Sequence, residues 1–364
     1  MNNNFTNKAL IYELFSGVGF CNQIFSLETA IYLANISNRK LILLIRNPLC
    51  HCGHANWNFG KFLDLFSDNY LKYLPNGIEV YYGSPSTNIT NIINNNNITK
   101  TFNYKARFSS LVFVDSNLDN EKNKEHIQNF LKGRQKENLN FENFNNYQYF
   151  YITQSNASRC FYNFYTTIDN YILMNNIAKS LTLLKPNINN IFNKIILPEK
   201  FIGIHFRFGD QKHNTESINK KTSEYTNNLD INFISNLKLP IIIMCDRKDS
   251  SVLELFKKNN IKILFTDELI LPFINEIKQI FKDFNKTEVI QFLIERKLME
   301  KSLIFYANNG STVSHYINYI RYINNLNYYN LYSNSKDKII KNNNLSWINN
   351  AGEGHAISWH SFLE

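Results

Sequence analysis

Three short stretches carry residue types whose spacing suits a phosphorylated ligand. The first is His205-Phe206-Arg207-Phe208-Gly209-Asp210. It closes an apolar run, Phe201 to Phe206, that follows Pro198 and stops at a Gly-Asp turn signal. A buried strand is therefore expected, with His205, Arg207 and Asp210 at or just past its carboxyl end. In open α/β sheets ligands bind beyond that end. A guanidinium suits phosphate because its planar fork makes two parallel charge-assisted hydrogen bonds. The same residues also fit a plainer arrangement, a surface ion pair between Arg207 and Asp210 beside a satisfied core His205.

The second stretch, Asn308 to Ser314, follows the apolar run Ser302 to Ala307 and leads into a helix through Tyr316 and Arg321. Gly310, Ser311, Thr312 and Ser314 would put a glycine, hydroxyls and free helix N–H groups behind a buried strand, which makes a phosphate cradle. An ordinary helix capped by Ser311 or Thr312 is the competing reading. The third stretch, Ser16 to Gln23, is a glycine-bearing turn between a strand at Ala9 to Phe15 and a helix from about Gln23 to Ile36. Its Gly17 and Gly19 lack the third glycine of a dinucleotide fingerprint, where Leu27, Glu28 and Thr29 stand, so an NAD site is not expected.

A fourth stretch, Cys50-His51-Cys52-Gly53-His54, invites zinc. The spacing is too compressed for the usual ligand pairs and no second pair lies nearby. A loop lining a substrate groove, with His51, His54 and Trp57 available to a sugar, fits better.

The elements that must position these residues follow a β/α rhythm. Lys40 to Ile45 is a strand that completes a βαβ unit with the first strand and helix. Asn58 to Pro75 is expected to be helical, Val80 to Tyr82 a short strand, and Leu111 to Val114 another. A lysine- and glutamate-rich helix is expected within Asp115 to Asn145, and a further helix from about Ile168 to Leu184, ending before Pro186. After the central strand come a strand at Pro240 to Cys245, a helix at Ser250 to Asn259 with a serine cap, and a strand at Ile261 to Phe265. Glu288 to Met299 is the next helix. Strands alternating with helices argue a parallel, doubly wound sheet. At 364 residues the chain suggests two domains, 1–190 and 191–335, with a tail at 336–364 that could return to the first.

Composition narrows the function. The chain is 44% hydrophobic and 15% aromatic, hence globular. A net charge of +9 suits a phosphate-bearing partner, but the lysines are dispersed and no aromatic RNA-binding signature interrupts them. A small anionic ligand is expected rather than nucleic acid. No stretch is long enough to span a bilayer, and the first apolar run is too short for a signal peptide, so a cytoplasmic location away from membranes is expected. Five cysteines at irregular spacing do not form a disulfide framework.

In order and spacing, Gly17-Val18-Gly19-Phe20-Cys21-Asn22-Gln23, His205-Phe206-Arg207-Phe208-Gly209-Asp210 and Gly310-Ser311-Thr312-Val313-Ser314 resemble the GDP-fucose-dependent fucosyltransferases. That superfamily spans the protein O-fucosyltransferases, the α1,2- and α1,6-enzymes and the nodulation fucosyltransferase. Leu33-Ala34, Arg39 and Leu41 continue its first motif, and Pro48 to about Val80 is similar to an acceptor-side loop of the protein O-fucosyltransferases. The resemblance implies an α/β chain of GT-B architecture, two Rossmann-like domains facing a cleft, that transfers fucose with inversion and uses no cofactor or catalytic metal. It implies donor contacts from Gly19, Phe20, Asn22, His205, Arg207, Ser311, Thr312 and Val313, with a glycan or protein as acceptor. Asp246 and Asp267, at strand ends, are candidates for the base or ribose.

The chain departs from the pattern in places. Phe208 stands where some relatives carry a second arginine, Val313 where a phenylalanine is usual, and Val18 where one relative has a glutamate base. Inversion needs a group that takes the acceptor's proton. Thr215-Glu216 lies one residue beyond the position of a Thr-Glu pair in the α1,6-enzymes, so Glu216 is the first candidate base and Asp210 the second. A solvated loop carboxylate is the plainer account of Glu216. The rival functions are a GT-B transferase using another nucleotide sugar, a catalytically silent nucleotide- or sugar-binding protein, and, third, a nucleic-acid binder.

Overall fold

Runs of apolar residues without polar alternation form strands only where both faces are covered, as in parallel sheets wound with helices. The computed structural model describes residues 8–14, 19–46, 62–83, 149–152, 168–208, 215–280, 288–308, 311–324, 326 and 328–330. Within them two parallel sheets form. In the first, β1 (Ala9–Glu13), β2 (Lys40–Arg46), β3 (Ile78–Gly83) and β4 (Tyr149–Ile152) stand in the order β3-β2-β1-β4. Helix α1 (Phe20–Ile36) makes the crossover from β1 to β2, which pair with Ala9 opposite Lys40.

Helices α2 (Ile168–Leu181) and α3 (Pro186–Lys194) lead into the second sheet. Its strands are β5 (Ile202–Phe206), β6 (Ile241–Cys245), β7 (Ile263–Phe265), β8 (Ile304–Ala307) and β9 (Tyr328–Asn330), in the order β7-β6-β5-β8-β9. Strand β5 is central, with β6 on one side and β8 on the other. The winding reverses between them, and that reversal opens the crevice where α/β sheets take ligands.

The connecting helices are α4 (Thr215–Asn228), α5 (Ile231–Leu237), α6 (Ser250–Lys258), α7 (Thr266–Ile270), α8 (Ile274–Ile280), α9 (Glu288–Lys301) and α10 (Thr312–Ile323). One face of the second sheet, through Ile202, Ile204, Phe206, Ile241 and Ile243, packs on α4, α5 and α6. The other face, through Phe201, Ile242 and Phe305, joins α9 and α10 in a core that is continuous with α1, α2 and the first sheet. The ring centroids of Phe25 on α1 and Tyr316 on α10 are 5.2 Å apart, and those of Phe20 on α1 and Phe292 on α9 are 5.7 Å apart.

Three local expectations need correction. Asn58 to Pro75 does not form one helix: among its described residues, Phe62–Leu65 and Asp68–Tyr73 are separate 3-10 turns. Between them Phe66 bridges to Leu184, which breaks the helical path. The cap of α6 is Asp249 rather than a serine, its carboxylate accepting from the backbone N–H of Ser251 and Val252. Glu216 sits in the first turn of α4, not in a loop. Helix α3 occupies most of Pro186 to Pro198 and buries Ile188, Ile191 and Phe192. The expected strand at Leu111 to Val114, the helix within Asp115 to Asn145 and the tail at 336–364 lie outside the described residues.

Candidate functional site

Successive residues of β5 face opposite sides of the sheet. Ile202, Ile204 and Phe206 point into the core with α4, α5 and α6, which turns Gly203 and His205 toward α9 and α10. Gly203 suits the close approach there: a Cβ would stand 2.9 Å from Ser302 Oγ and 3.2 Å from Met299 Sδ, so a neighbour would have to shift. His205 is buried, and its Nδ1 lies 2.7 Å from the Oγ of Ser314 in the first turn of α10. Burial pushes its pKa down to about 4; the Arg207 guanidinium adds to this and the Asp246 carboxylate opposes it. The imidazole is thus neutral at physiological pH and joins β5 to α10.

Arg207 follows at the carboxyl end of β5, its side chain about one-third exposed, at 35%. Its Nη1 donates to Oδ2 of Asp246, at the end of β6, across 2.7 Å. The other oxygen, Oδ1, accepts the N–H of Phe208 at 2.8 Å. Asp246 is thus an ion-pair partner of Arg207 among the described residues, which do not include Asp210. Asp246, a candidate for the base or ribose, thus also holds the residues after β5.

The end of β8 lies on the other side of β5. Asn308 there donates its N–H to Ser314 Oγ at 2.8 Å and its side-chain amide to the hydroxyl of Tyr225 and, at 3.3 Å, to the carbonyl of Arg207. Ser311 is buried, and Thr312 and Val313 are half-buried, at the N-terminus of α10. The ends of β5, β6 and β8 and the first turn of α10 thus form one hydrogen-bonded group at the reversal point. The N-terminal pole of α10 adds N–H groups without intrahelical partners and a partial positive charge, which favour an anion.

In the first sheet, Gly19 precedes α1, Phe20 is buried, and Asn22 is half-buried in the first turn. The second turns of α1 and α10 meet through Phe25 and Tyr316. Gly17, Val18, His51, His54, Trp57 and Gly310 lie outside the described residues. Glu216 is exposed in the first turn of α4. Among the described residues no three His, Cys, Asp or Glu side chains are grouped to hold a metal, and no helix is long and apolar enough to cross a membrane.

Two residues of the site carried no chemical signal in the sequence. Tyr225 lies in the polar run Thr215 to Asn228, where Ile218 and Tyr225, seven residues apart, are the buried positions. Lys221, one turn earlier, donates from Nζ to the carbonyl of Phe208 at 2.5 Å. Asn308 opens the second expected stretch, Asn308 to Ser314, but carried no candidate role there.

No family model and no curated protein matches the chain. Comparison with solved structures finds similarity to the apo form of POFUT1, at 12% identity over 91% of this chain and 99% of that one, with a TM-score of 0.49. A variant of FUT1 from Arabidopsis thaliana in complex with GDP is similar at 11% identity over 92% and 73%, with a TM-score of 0.48. The fucosyltransferase NodZ from Bradyrhizobium is similar at 12% identity over 87% and 92%, with a TM-score of 0.42.

Proposed function

We propose that this chain is an inverting glycosyltransferase that moves L-fucose from GDP-fucose to a hydroxyl of a glycan or protein. The observation that supports this most is the union of two sequence-distant motifs in one site. Arg207, after β5, and Ser311 to Ser314, opening α10 after β8, flank the reversal point of the sheet and share Asn308 as a hydrogen-bonded link. A guanidinium beside a helix N-terminus is chemistry for a diphosphate.

In this reading 1–190 carries the acceptor side and 191–335 the donor side of a GT-B pair, with His51, His54 and Trp57 on the acceptor side and Asn22 facing the donor. A lone pair of the acceptor oxygen forms the bond to the sugar's anomeric carbon. The bond from that carbon to the β-phosphate oxygen breaks, and its electron pair leaves with GDP. Arg207, the Ser311 and Thr312 hydroxyls and the α10 N–H groups offset the developing charge, so no metal is needed. The acceptor's proton passes to a carboxylate, Glu216 or Asp210.

Calorimetric titration with GDP, UDP, ADP, GDP-fucose and GDP-mannose, with and without EDTA, tests the reading. GDP and GDP-fucose are expected to bind regardless of EDTA, and Arg207→Ala to weaken GDP on the order of 100-fold, the scale of a lost charge-assisted contact. No GDP binding, or a preference for UDP, sinks it. Release of fucose from the donor without acceptor then separates an enzyme from a silent binder.

A further inference from the structure

Tyr225 belongs to no motif, yet its hydroxyl meets both backbone polar groups of Arg207. It accepts the Arg207 N–H at 3.1 Å and donates to the Arg207 carbonyl at 2.7 Å. It also accepts the side-chain amide of Asn308. A phenolic hydroxyl has one proton and two lone pairs, so these three bonds fill it. The residue is fully buried, its ring 4.8 Å from that of Phe206 and edge-on to Phe208 at 5.6 Å. Asn308 continues the chain of bonds to Ser314 and through it to His205. Lys221 closes the near side on the carbonyls of Arg207 and Phe208.

The consequence is directional. The path of an arginine side chain is set first by its Cα–Cβ bond, and a small rotation of the peptide at 207 sweeps the guanidinium through a much larger arc. Asp246 steadies the tip with Oδ2 and the following N–H, that of Phe208, with Oδ1. The Tyr225 hydroxyl sets the root, and Asn308 ties that root to the helix whose N-terminus faces the same crevice. Misplacement of a charge-stabilising group by about 1 Å can cost 100-fold in function, so such a tie matters.

We infer that Tyr225 and Asn308 are positioning residues that register the backbone of Arg207 against the first turn of α10, so that guanidinium and helix N–H groups address one diphosphate. The inference rests on the donor-site reading above. Neither residue touches the ligand in this scheme; both act through Arg207.

The test compares GDP with GMP, which lacks the β-phosphate. Calorimetry on the full chain uses wild type, Arg207→Ala, Tyr225→Phe and Asn308→Ala, with thermal unfolding as a check on the fold. Tyr225→Phe keeps the packed ring and removes only the hydroxyl. It is expected to weaken GDP about 10-fold and leave GMP within about 2-fold, a buried hydrogen-bond loss expressed only at the β-phosphate. Asn308→Ala, which keeps the two bonds between Tyr225 and Arg207, should show the same selective loss at about 3-fold and serves if the first variant does not fold. GDP and GMP falling in equal proportion, or neither falling, overturns the inference. The donor-site reading survives either result as long as wild type prefers GDP and Arg207→Ala abolishes that preference. A wild type that binds no GDP removes the reading itself.

Discussion

Asp246 holds Arg207 with one carboxylate oxygen and the next residue's backbone with the other. Oδ2 accepts from Arg207 Nη1 at 2.7 Å and Oδ1 from the Phe208 N–H at 2.8 Å. The strand-end carboxylate on β6 therefore shapes the turn after β5 as well as neutralising a charge. Asp246→Ala removes both acceptors from a half-buried site and should lower unfolding free energy by about 2 kcal/mol. Asp246→Asn keeps an acceptor for Phe208 and should cost about half as much. Denaturant melts of the three proteins would show this order, and equal costs for the two variants would contradict it.

Gly203 sits where β5 passes closest to the turn before β8. An added Cβ would meet Ser302 Oγ at 2.9 Å and Ser302 Cβ at 3.0 Å. Ser302 cannot swing aside freely, because its hydroxyl donates to the Met299 carbonyl at 2.7 Å and accepts from Arg321 Nη1 at 3.1 Å. Gly203→Ala is expected to destabilise by about 1–3 kcal/mol, the range for overpacking a tight core. An unchanged denaturation midpoint would show that the strand can shift at no cost.

His205 predicts a loss of stability in acid. Its pKa falls from the ordinary 6.5 to about 4 because burial disfavours the cation, with Arg207 acting the same way and Asp246 against it. A depressed folded-state value means the unfolded chain binds the proton first. The contribution is complete above pH 6.5 and is lost as pH falls through 4, amounting at most to about 3 kcal/mol. In a histidine-labelled sample, the resonance that disappears in His205→Asn should titrate near pH 4. A midpoint near 6.5 would place that ring in solvent.

Glu28 predicts the opposite slope at higher pH. It is buried on α1, and burial pushes its carboxyl from the ordinary 4.5 up to about 8, against the pull of the Tyr316 hydroxyl on α10 and Arg296 on α9. Arg296 lies over the Tyr316 ring at 4.7 Å, and its Nε is 3.0 Å from Glu300 Oε1, close enough for attraction but off the line of a hydrogen bond. A raised folded-state value means the native chain holds the proton longer. Stability from this group is complete below pH 4.5 and is lost as pH rises through 8. Up to about pH 6.5 the His205 gain offsets this loss, so melting temperature should fall between about pH 6.5 and 8. Glu28→Gln should lessen that fall, leaving the slopes from Glu295 and Glu300, whose carboxyls burial also pushes up. Parallel profiles for the two proteins would rule Glu28 out as the source.

Much of the second sheet was legible because its strands are buried on both faces. The runs ending at Phe206, Cys245 and Ala307 needed no alternation to be seen, and β5, β6 and β8 form within them. Helix α4 was not legible, since fourteen mostly polar residues bury only Ile218 and Tyr225 and show no apolar stripe. The stretch from Asn58 to Pro75 misled in the other direction. Its apolar residues Phe62, Leu65 and Phe66 pack into the core from 3-10 turns and a bridge, a path whose spacing imitates a helix.

Arg207, His205 and the α10 turn could be chosen from the sequence because their chemistry is local: a residue type at a strand end or a helix start. The partners they take were decided by tertiary structure alone. Asp246 on the neighbouring strand's end pairs with Arg207, and Tyr225 and Asn308 hold the Arg207 backbone from 18 and 101 residues away. A short motif reports which groups the chain offers. Which of them meet depends on strand order, and here β6 and β8 lie on either side of β5. That order is set by burying nonlocal apolar surface, a property no single stretch of sequence contains.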